Sequence, residues 1–382
     1  MSKVIELNRA DSAPIGIHLS MPDGRLLPIN ELLAAHESVL RTEGRRALEY
    51  GGSQGFEGLR DWLASDYNSR ESAPADSRCI VLTSGASGGL NDLCDALITP
   101  GGVVLTEQPT FSGSLRTLAA SGAEVMGISI GRNGLDPEDF ERVVTDITGA
   151  GKRINLLYTV PNFNNPTAAL LSFERRKRIA EICRAAGIVV VQDDAFADLT
   201  LGPEVPSSFW SIMEGKDVAI LGTFSKTLAP GLRLGWVLAE EKLAQALVLR
   251  RLDLGVSPLT ARAVTAYCES GGYRSHVRQM IPVYRSKRDV LLGKLEALQS
   301  RLGDWNVPEG GFSLWIELIS GVEAARLQQV ARDEGVLVAN GRPFFVDEPR
   351  SQGIRVCYSN ASETELKEAV RRLERALEVA KA

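Results

Sequence analysis

The segment GTFSKTLAPGLRLG, residues 222 to 235, holds two cationic side chains in an apolar setting. Lys226 and Arg233 lie seven residues apart there, among three glycines and Pro230, which restricts the backbone. A lysine that is desolvated or lies beside another cation has a lowered pKa, and its amine can then form a Schiff base. Thr223 and Lys226 also match the S-x-x-K spacing of some serine hydrolases, but neither S-D-N nor K-T-G accompanies them. A lone lysine is usually exposed, so Lys226 needs support from other residues.

Four other stretches place groups suited to an anion or a planar ring directly after runs of strand-forming residues. Thr83–Gly89 consists mostly of small residues whose backbone N–H groups could meet an anion at a helix N-terminus. Phe111 could stack on a ring, and Asn165, held in the rigid turn PNFNNPT, could donate a hydrogen bond. Asp193 ends an apolar strand, where a carboxylate needs a cationic partner. Each also has a plain structural explanation, as a turn, a core aromatic residue or a helix cap.

These groups together are the parts of one site. An anion loop, a stacking ring, an amide, an acid, a lysine and an arginine are what pyridoxal 5′-phosphate (PLP) needs for its phosphate, its ring nitrogen and its Schiff base. The combination therefore predicts a PLP enzyme that acts on an amino acid, with Lys226 holding the cofactor.

The elements that must position these groups alternate between strands and helices, which indicates an α/β domain with a largely parallel sheet. Ligands of such sheets lie beyond the carboxyl ends of the strands. The predicted strands are Cys79–Leu82, Val103–Leu105, Ile154–Thr159, Ile188–Gln192, Val218–Leu221 and Trp236–Ala239. The predicted helices between them are Gly88–Ile98, Phe111–Ser121, Phe173–Ala186 and Glu241–Arg251.

The pattern changes near Val277 to that of a smaller α+β unit. A charged helix is predicted over Tyr284–Leu302 and a final helix over Glu363–Lys381, with short strands between them. We expect an N-terminal arm and helix (residues 1–45) that belong to the small domain, a large cofactor-binding domain (46–280) and a C-terminal small domain (281–382).

Composition excludes several other classes of protein. The net charge of −5 provides no basic excess for binding nucleic acid. The five cysteines are scattered without C-x-x-C spacing, and the three histidines form no metal motif, so we expect reduced thiols and no metal site. No apolar run reaches membrane-spanning length, and the N-terminus has no signal-peptide core. The sequence thus predicts a soluble, cytoplasmic protein.

From about Pro22 to the C-terminus the sequence resembles the fold type I PLP enzymes of the class I/II aminotransferase family. It is most similar to the branch of 2-aminoadipate and kynurenine aminotransferases and of MocR-type regulators, with some features of capreomycidine-synthase-like cyclases. The resemblance implies a three-layer αβα large domain and a smaller α+β domain. The matching stretches are YGGSQGFEGLRDWLA, PNFNNPT, GTFSKTLAPGLRLGW, PEGGFSLW and IRVCYS.

The resemblance also implies a role for each matching residue. Lys226 would form the Schiff base with PLP and move the proton, and Asp193 would pair with the ring nitrogen. Arg355 would bind the substrate carboxylate, and Tyr50 would reach the phosphate of a neighbouring subunit in a homodimer with shared active sites. The other cofactor-binding positions are the ring-stacking Phe111, the O3′ donor Asn165, Phe196 beside it, and Ala86, Ser87, Thr223, Ser225 and Arg233 at the phosphate.

Four residues in three stretches depart from the family pattern. Phe196 stands where the family has a tyrosine that donates to the phenolic O3′. Ala168 replaces the glycine of NPTG, and His18 and Ser20 replace a Gly-Gly pair beside the substrate, so both are expected to contact substrate together with Asn165.

These departures leave more than one reaction open. Phe196 and the stretch Val256–Leu259 also resemble PLP enzymes that do not transaminate, so a cyclase, lyase or oxidase of a substituted amino acid, such as hydroxyarginine, is the alternative to an aminotransferase. An effector-sensing module of a regulator is disfavoured, because no winged-helix segment precedes the domain and the charge is acidic.

Overall fold

An eight-stranded sheet forms the centre of the larger unit in this computed structural model, which describes residues 13–202, 204–349 and 351–381. The strands of the described chain are β1 (Ile15–Gly16), β2 (Ile80–Thr83), β3 (Val103–Gln108), β4 (Glu124–Gly131), β5 (Gly134–Leu135), β6 (Ile154–Thr159), β7 (Val189–Asp193), β8 (Val218–Thr223), β9 (Gly235–Ala239), β10 (Gly303–Asp304), β11 (Ser313–Leu318), β12 (Val336–Leu337), β13 (Ala339–Asn340) and β14 (Gly353–Cys357).

The large sheet has the order β2-β9-β8-β7-β6-β3-β4-β5. Strands β3, β4, β6, β7 and β8 run parallel, whereas β9 is antiparallel to both β2 and β8. The predicted α/β class with a mostly parallel sheet is confirmed. The six predicted strands are present within two residues at each end, except that β3 runs on to Gln108. Strands β4 and β5 were not predicted, because β4 is half exposed and carries no apolar run.

Helices cover the sheet on both faces. Alternate residues of β2 show this, since Ile80 and Leu82 belong to one apolar core and Val81 belongs to another on the opposite face. The described helices are α1 (Ile29–Glu43), α2 (Glu57–Asn68), α3 (Gly85–Leu97), α4 (Ser112–Ala120), α5 (Pro137–Gly149), α6 (Phe173–Ala186), α7 (Phe209–Ile212), α8 (Glu241–Arg250), α9 (Pro258–Glu269), α10 (Gly272–Leu295), α11 (Gln299–Leu302), α12 (Ala324–Asp333) and α13 (Glu363–Lys381).

The smaller unit is built on an antiparallel sheet of order β10-β11-β14-β13, which packs against the last helices. The N-terminal arm joins this unit, because β1 pairs in parallel with β12 and Ile17 is buried in the same core. Helix α1 behaves differently, since its Ala35 and Val39 pack in the core of the large unit. The first twelve residues of the predicted arm lie outside the described residues.

Helix α10 connects the two units. Tyr273 and Val277 near its start pack in the core of the large unit, whereas Tyr284 and Leu291 pack in the core of the small unit. Pro282 lies inside the helix between these two groups. The helix predicted over Tyr284–Leu302 is therefore wrong in its bounds: it begins twelve residues earlier and ends at Leu295, and the short α11 is a separate helix.

Candidate active site

Lys226 lies three residues beyond the carboxyl end of β8, as the placement rule for parallel sheets predicts. The preceding Phe224 is fully buried against Trp236 and Tyr273, which fixes the backbone of the turn. The Lys226 Nζ donates a hydrogen bond to the backbone carbonyl of Ser20, at 2.7 Å. Burial lowers the pKa of the Lys226 ammonium to about 8. About a tenth of this amine is therefore neutral and nucleophilic at pH 7, far more than for an ordinary lysine.

Asp193 is the last residue of β7 and is buried, with 7% of its surface exposed. The Tyr158 hydroxyl donates to its Oδ2 at 2.7 Å, and the Ala195 N–H donates to its Oδ1 at 3.1 Å. Burial raises the pKa of Asp193, while these two hydrogen bonds and the charge of Lys226 act in the opposite direction. No described lysine, arginine or histidine forms an ion pair with Asp193, so this buried carboxylate fits a cationic partner that a ligand would supply.

Arg355 and Asn165 meet across the two units. Arg355 lies on β14, and its Nη1 donates to Asn165 Oδ1 at 2.8 Å while its Nη2 donates to the His18 carbonyl at 2.6 Å. The guanidinium lies 4.8 Å from the ring centre of Phe344. Its Nε is buried and has no hydrogen-bond partner. This side chain is thus held in place by two hydrogen bonds while its Nε–H has no protein partner, which suits a carboxylate ligand.

The turn that carries Asn165 is fixed by two acids, the buried Glu107 and the half-buried Asp194. Glu107 on β3 accepts hydrogen bonds from Thr159, the Val160 N–H and Asn164, with distances of 2.6, 3.0 and 2.9 Å. Asp194 accepts from Asn162 at 2.7 Å on the other side of the turn. Burial raises the pKa of both acids, to about 6 for Asp194. Sequence reasoning missed both acids and Tyr158, although a glutamate inside the otherwise uncharged run VVLTEQ was a usable signal for the first.

The predicted anion-binding loop lies between β2 and α3. Helix α3 begins at Gly85, whose φ of 73° favours glycine, so Ala86 and Ser87 lie in its first turn with their N–H groups at the positive end of the helix. The Arg233 Nη2 donates to the Ser84 carbonyl at 3.0 Å, which places the guanidinium beside this turn. The Thr223 hydroxyl donates to Ser225 Oγ at 3.0 Å next to Lys226. The predicted phosphate residues are therefore grouped at two adjacent segments.

Of the two predicted aromatic residues of the site, Phe196 lies beside Lys226, and Phe111 precedes α4. Phe196 is buried edge-on against Phe312, with ring centres 5.5 Å apart, and the Lys226 Nζ lies 5.7 Å from its ring centre. No hydroxyl is therefore available at position 196. Phe111 is half-buried directly before α4, a few residues after β3.

The predicted substrate residues of the arm have unused polar atoms. The Nδ1 of His18 and the Oγ of Ser20 are both buried without a hydrogen-bond partner. Burial, together with the Arg355 guanidinium, lowers the pKa of His18, so its ring is neutral at pH 7. Three of the predicted site residues are exposed: Ser87, Arg233 and Tyr50, the last over 83% of its surface.

The residues present fit PLP. A buried acid without a cationic partner, a lysine with a lowered pKa and a helix N-terminus beside an arginine suit its ring nitrogen, its aldehyde and its phosphate. Within the described ranges, no group of histidine, cysteine or acidic side chains is arranged to hold a metal ion, and no helix has the length and apolar character needed to cross a membrane.

Comparisons with known proteins agree with this geometry. The family profile "Aminotransferase class I and II" matches residues 17–373. Aromatic-amino-acid aminotransferase 1 of Thermococcus litoralis is 29% identical, over 92% of this chain and 85% of its own length. A protein described as the uncharacterized HTH-type transcriptional regulator YdfD of Bacillus subtilis is 28% identical, over 96% of this chain and 75% of its own.

A solved aminotransferase structure also matches this chain over most of its length. The crystal structure of LysN, an α-aminoadipate aminotransferase from Thermus thermophilus complexed with N-(5′-phosphopyridoxyl)-L-leucine, has a TM-score of 0.88 with this chain at 28% sequence identity. The match covers 96% of this chain and 92% of that one.

Proposed function

This chain belongs to the class I and II aminotransferase family and is a PLP-dependent aminotransferase, and from that premise we propose how its residues divide the work. The predicted family and cofactor are confirmed. When bound, PLP supplies an aldehyde that accepts an amino group and a ring that withdraws electrons from the substrate Cα. The observation that carries the proposal is the convergence of Lys226, Asp193, Asn165 and Arg355 at one edge of the sheet.

Lys226 holds the cofactor and moves the proton. Its pKa of about 8 leaves some neutral amine near pH 7 that could react with an aldehyde, and the same side chain, once free, would be a base able to move a proton at the substrate Cα. The Ser20 carbonyl, 2.7 Å from Nζ, gives the released ammonium a hydrogen-bond acceptor.

Asp193, Asn165 and the loop residues hold the ring and phosphate. Asp193 balances the charge of a protonated ring nitrogen, Asn165 donates to the phenolic oxygen, and Phe111 stacks on the ring. Ala86, Ser87, Thr223, Ser225 and Arg233 bind the phosphate through backbone N–H groups, hydroxyl groups and a guanidinium. Phe196 lines the site without donating a hydrogen bond.

Arg355 selects α-amino and α-keto acids. A guanidinium that is already hydrogen-bonded to Asn165 and to the His18 carbonyl loses little entropy on binding a carboxylate. We assign His18 and Ser20 to the substrate side chain or carboxylate, because each has a buried polar atom without a partner.

The active unit is a homodimer in a cytoplasmic setting. Two segments that lie side by side expose large hydrophobic side chains. A hydrogen bond from Arg251 Nη1 to the Ser53 carbonyl joins these segments. The exposed residues are Leu48, Tyr50, Leu249, Leu252 and Leu254. An apolar surface of this kind favours a subunit interface, and Tyr50 would then reach the partner's phosphate. All five cysteines are free thiols, which suits a reducing compartment.

One experiment tests the cofactor and the reaction together. Borohydride reduction of the PLP-loaded protein followed by peptide mass analysis should place the modified residue at Lys226, and Lys226→Ala should abolish the modification. Lys216→Ala, which removes an exposed lysine of the same unit, is the control. Mixing the wild-type protein with single amino acids should yield the matching keto acid and the aminated cofactor. A cyclised or oxygenated product without amination of the cofactor would contradict transamination.

A second experiment tests the shared site. Lys226→Ala and Tyr50→Ala are each expected to be inactive, but a mixture of the two that exchanges subunits should regain activity, because each heterodimer contains one intact site. Absence of rescue in a mixture shown to contain heterodimers would contradict the assignment of Tyr50 to the partner's site.

A further inference from the structure

A chain of three buried polar groups ends at Asp193. The Tyr158 hydroxyl on β6 is 2.7 Å from Asp193 Oδ2 and 2.8 Å from Ser114 Oγ on α4. All three residues are buried, and Tyr158 has no exposed surface. An ionised carboxylate can only accept, so Tyr158 uses its single proton on Asp193 and the serine hydroxyl donates to Tyr158. The two hydrogen bonds therefore run in one direction, from Ser114 through Tyr158 to Asp193.

This chain matters because little else keeps Asp193 ionised. Burial raises the pKa of its carboxyl group, and the Ala195 N–H is its other hydrogen-bond donor within the strand and turn. The titratable groups that face it are Tyr158 on β6 and Lys226 beyond β8, and Glu107 on β3 acts on Tyr158. Hydrogen bonds linked in series polarise one another, so the Ser114 contact strengthens the contact with Asp193.

We propose that Tyr158 is a positioning residue that keeps Asp193 ionised and oriented toward the ring nitrogen of PLP. The proposal rests on the proposed function, because it requires Asp193 to face the ring. Tyr158 accordingly contributes to the electron-withdrawing power of the ring without touching the substrate. Without its hydroxyl, Asp193 becomes more basic and takes up the proton of the ring nitrogen.

The test is a pH titration of the visible absorption of bound PLP in the absence of substrate. If the ring nitrogen of PLP loses its proton, the ring carries less positive charge. The pKa of the nitrogen that links PLP to Lys226 then rises, so this nitrogen keeps its proton to higher pH. A hydrogen bond to a charged group changes an equilibrium by about tenfold or more, so Tyr158→Phe should raise the midpoint by about one pH unit and weaken PLP binding by about tenfold. Ser114→Ala should shift both in the same direction by a smaller amount.

Tyr67→Phe is the matched control. Tyr67 is a buried tyrosine of the same unit whose hydroxyl accepts from Trp236 Nε1 at 3.3 Å, so its loss should leave the midpoint unchanged. The proposal is overturned if Tyr158→Phe titrates like the wild type, or if Tyr67→Phe shifts the midpoint equally. If Tyr158→Phe does not fold, Ser114→Ala is the test. The proposal is then overturned if the absorption of PLP bound to Ser114→Ala titrates with the same pH midpoint as in the wild type.

Asp193→Asn separates this inference from the proposed function. A shift with Asp193→Asn but none with Tyr158→Phe refutes the role of Tyr158 alone. If Asp193→Asn changes neither the midpoint nor PLP binding, the assignment of Asp193 to the ring nitrogen fails as well.

Discussion

Replacement of Arg355 by lysine tests the substrate assignment most directly. The guanidinium makes two hydrogen bonds within the protein, of 2.8 Å to Asn165 and 2.6 Å to the His18 carbonyl, and leaves its Nε free. A lysine at this position keeps the charge but has no fork with which to bind a carboxylate and hold Asn165 at the same time. Arg355→Lys therefore loses at least one charge-assisted hydrogen bond to the substrate, which is worth about 1.5–3 kcal/mol.

That loss corresponds to a decrease in kcat/KM of about 10- to 150-fold. The assay is a single-turnover titration with a reactive amino acid, in which the rate of cofactor amination is followed against substrate concentration. PLP affinity is measured separately and should change much less, because Arg355 is assigned to the substrate. The corresponding amine without a carboxylate should react with the variant and the wild type at similar rates.

Arg371→Lys serves as the control, since this exposed arginine of α13 pairs with Glu368 on the helix surface. The reasoning is refuted if Arg355→Lys keeps kcat/KM within about twofold of the wild type, or if PLP binding falls as steeply as substrate turnover. It is also refuted if the amine that lacks a carboxylate loses reactivity to the same extent.

The remaining predictions concern the lysine, the turn of Asn165 and the ring donor. Because the pKa of Lys226 is lowered to about 8, its neutral fraction grows as the pH rises through 8, so the rate of PLP uptake by the apoenzyme should rise with a midpoint there; a rise only near pH 10.5 would contradict this. Glu107→Gln replaces a carboxylate oxygen by an amide NH₂ group, which cannot accept the hydrogen bonds that Glu107 receives. In denaturant titrations this change should lower the free energy of unfolding by about 1–3 kcal/mol, whereas Glu138→Gln at an exposed position should leave it unchanged. Phe196→Tyr adds a donor beside the phenolic oxygen and should lower the pH midpoint of bound PLP absorption by about one unit, and an unchanged midpoint would place position 196 away from that oxygen.

Much of the fold follows from local sequence pattern. Ile154–Thr159 and Phe173–Ala186 match the structure at both ends, because a continuous apolar run marks a strand covered on both faces, while Ser172 caps the helix and Gly187 ends it. The antiparallel direction of β9 was not predictable in this way, since direction depends on how the chain returns to the sheet. Strand β4 was missed because it is stabilised mainly by pairing with β3 and not by burial of its own side chains.

The residues of the candidate site were likewise predictable where local sequence pattern places them, and not where distant segments meet. Lys226, Asp193 and the loop at Ala86 follow strand ends, so sequence order alone placed them at one edge of the sheet. Contacts between distant segments could not be predicted, such as the one between Arg355 and Asn165, which are 190 positions apart. Tyr158 was missed for a different reason: within an apolar strand, a tyrosine looks like part of the core until the acid on the neighbouring strand is seen.

Helix α10 belongs to both units and contains a proline between its two packed parts. Pro282 has no N–H to donate to the carbonyl four residues earlier, so the helix has one missing internal hydrogen bond between the residues packed in the large core and those packed in the small core. A helix bends most easily at such a position. Arg355 lies on the sheet of the small unit and Lys226 on the large one, so any bending at Pro282 would change the distance between the proposed carboxylate-binding group and the amine. The spacing between these two groups would then depend on a helix position that lies outside the site itself.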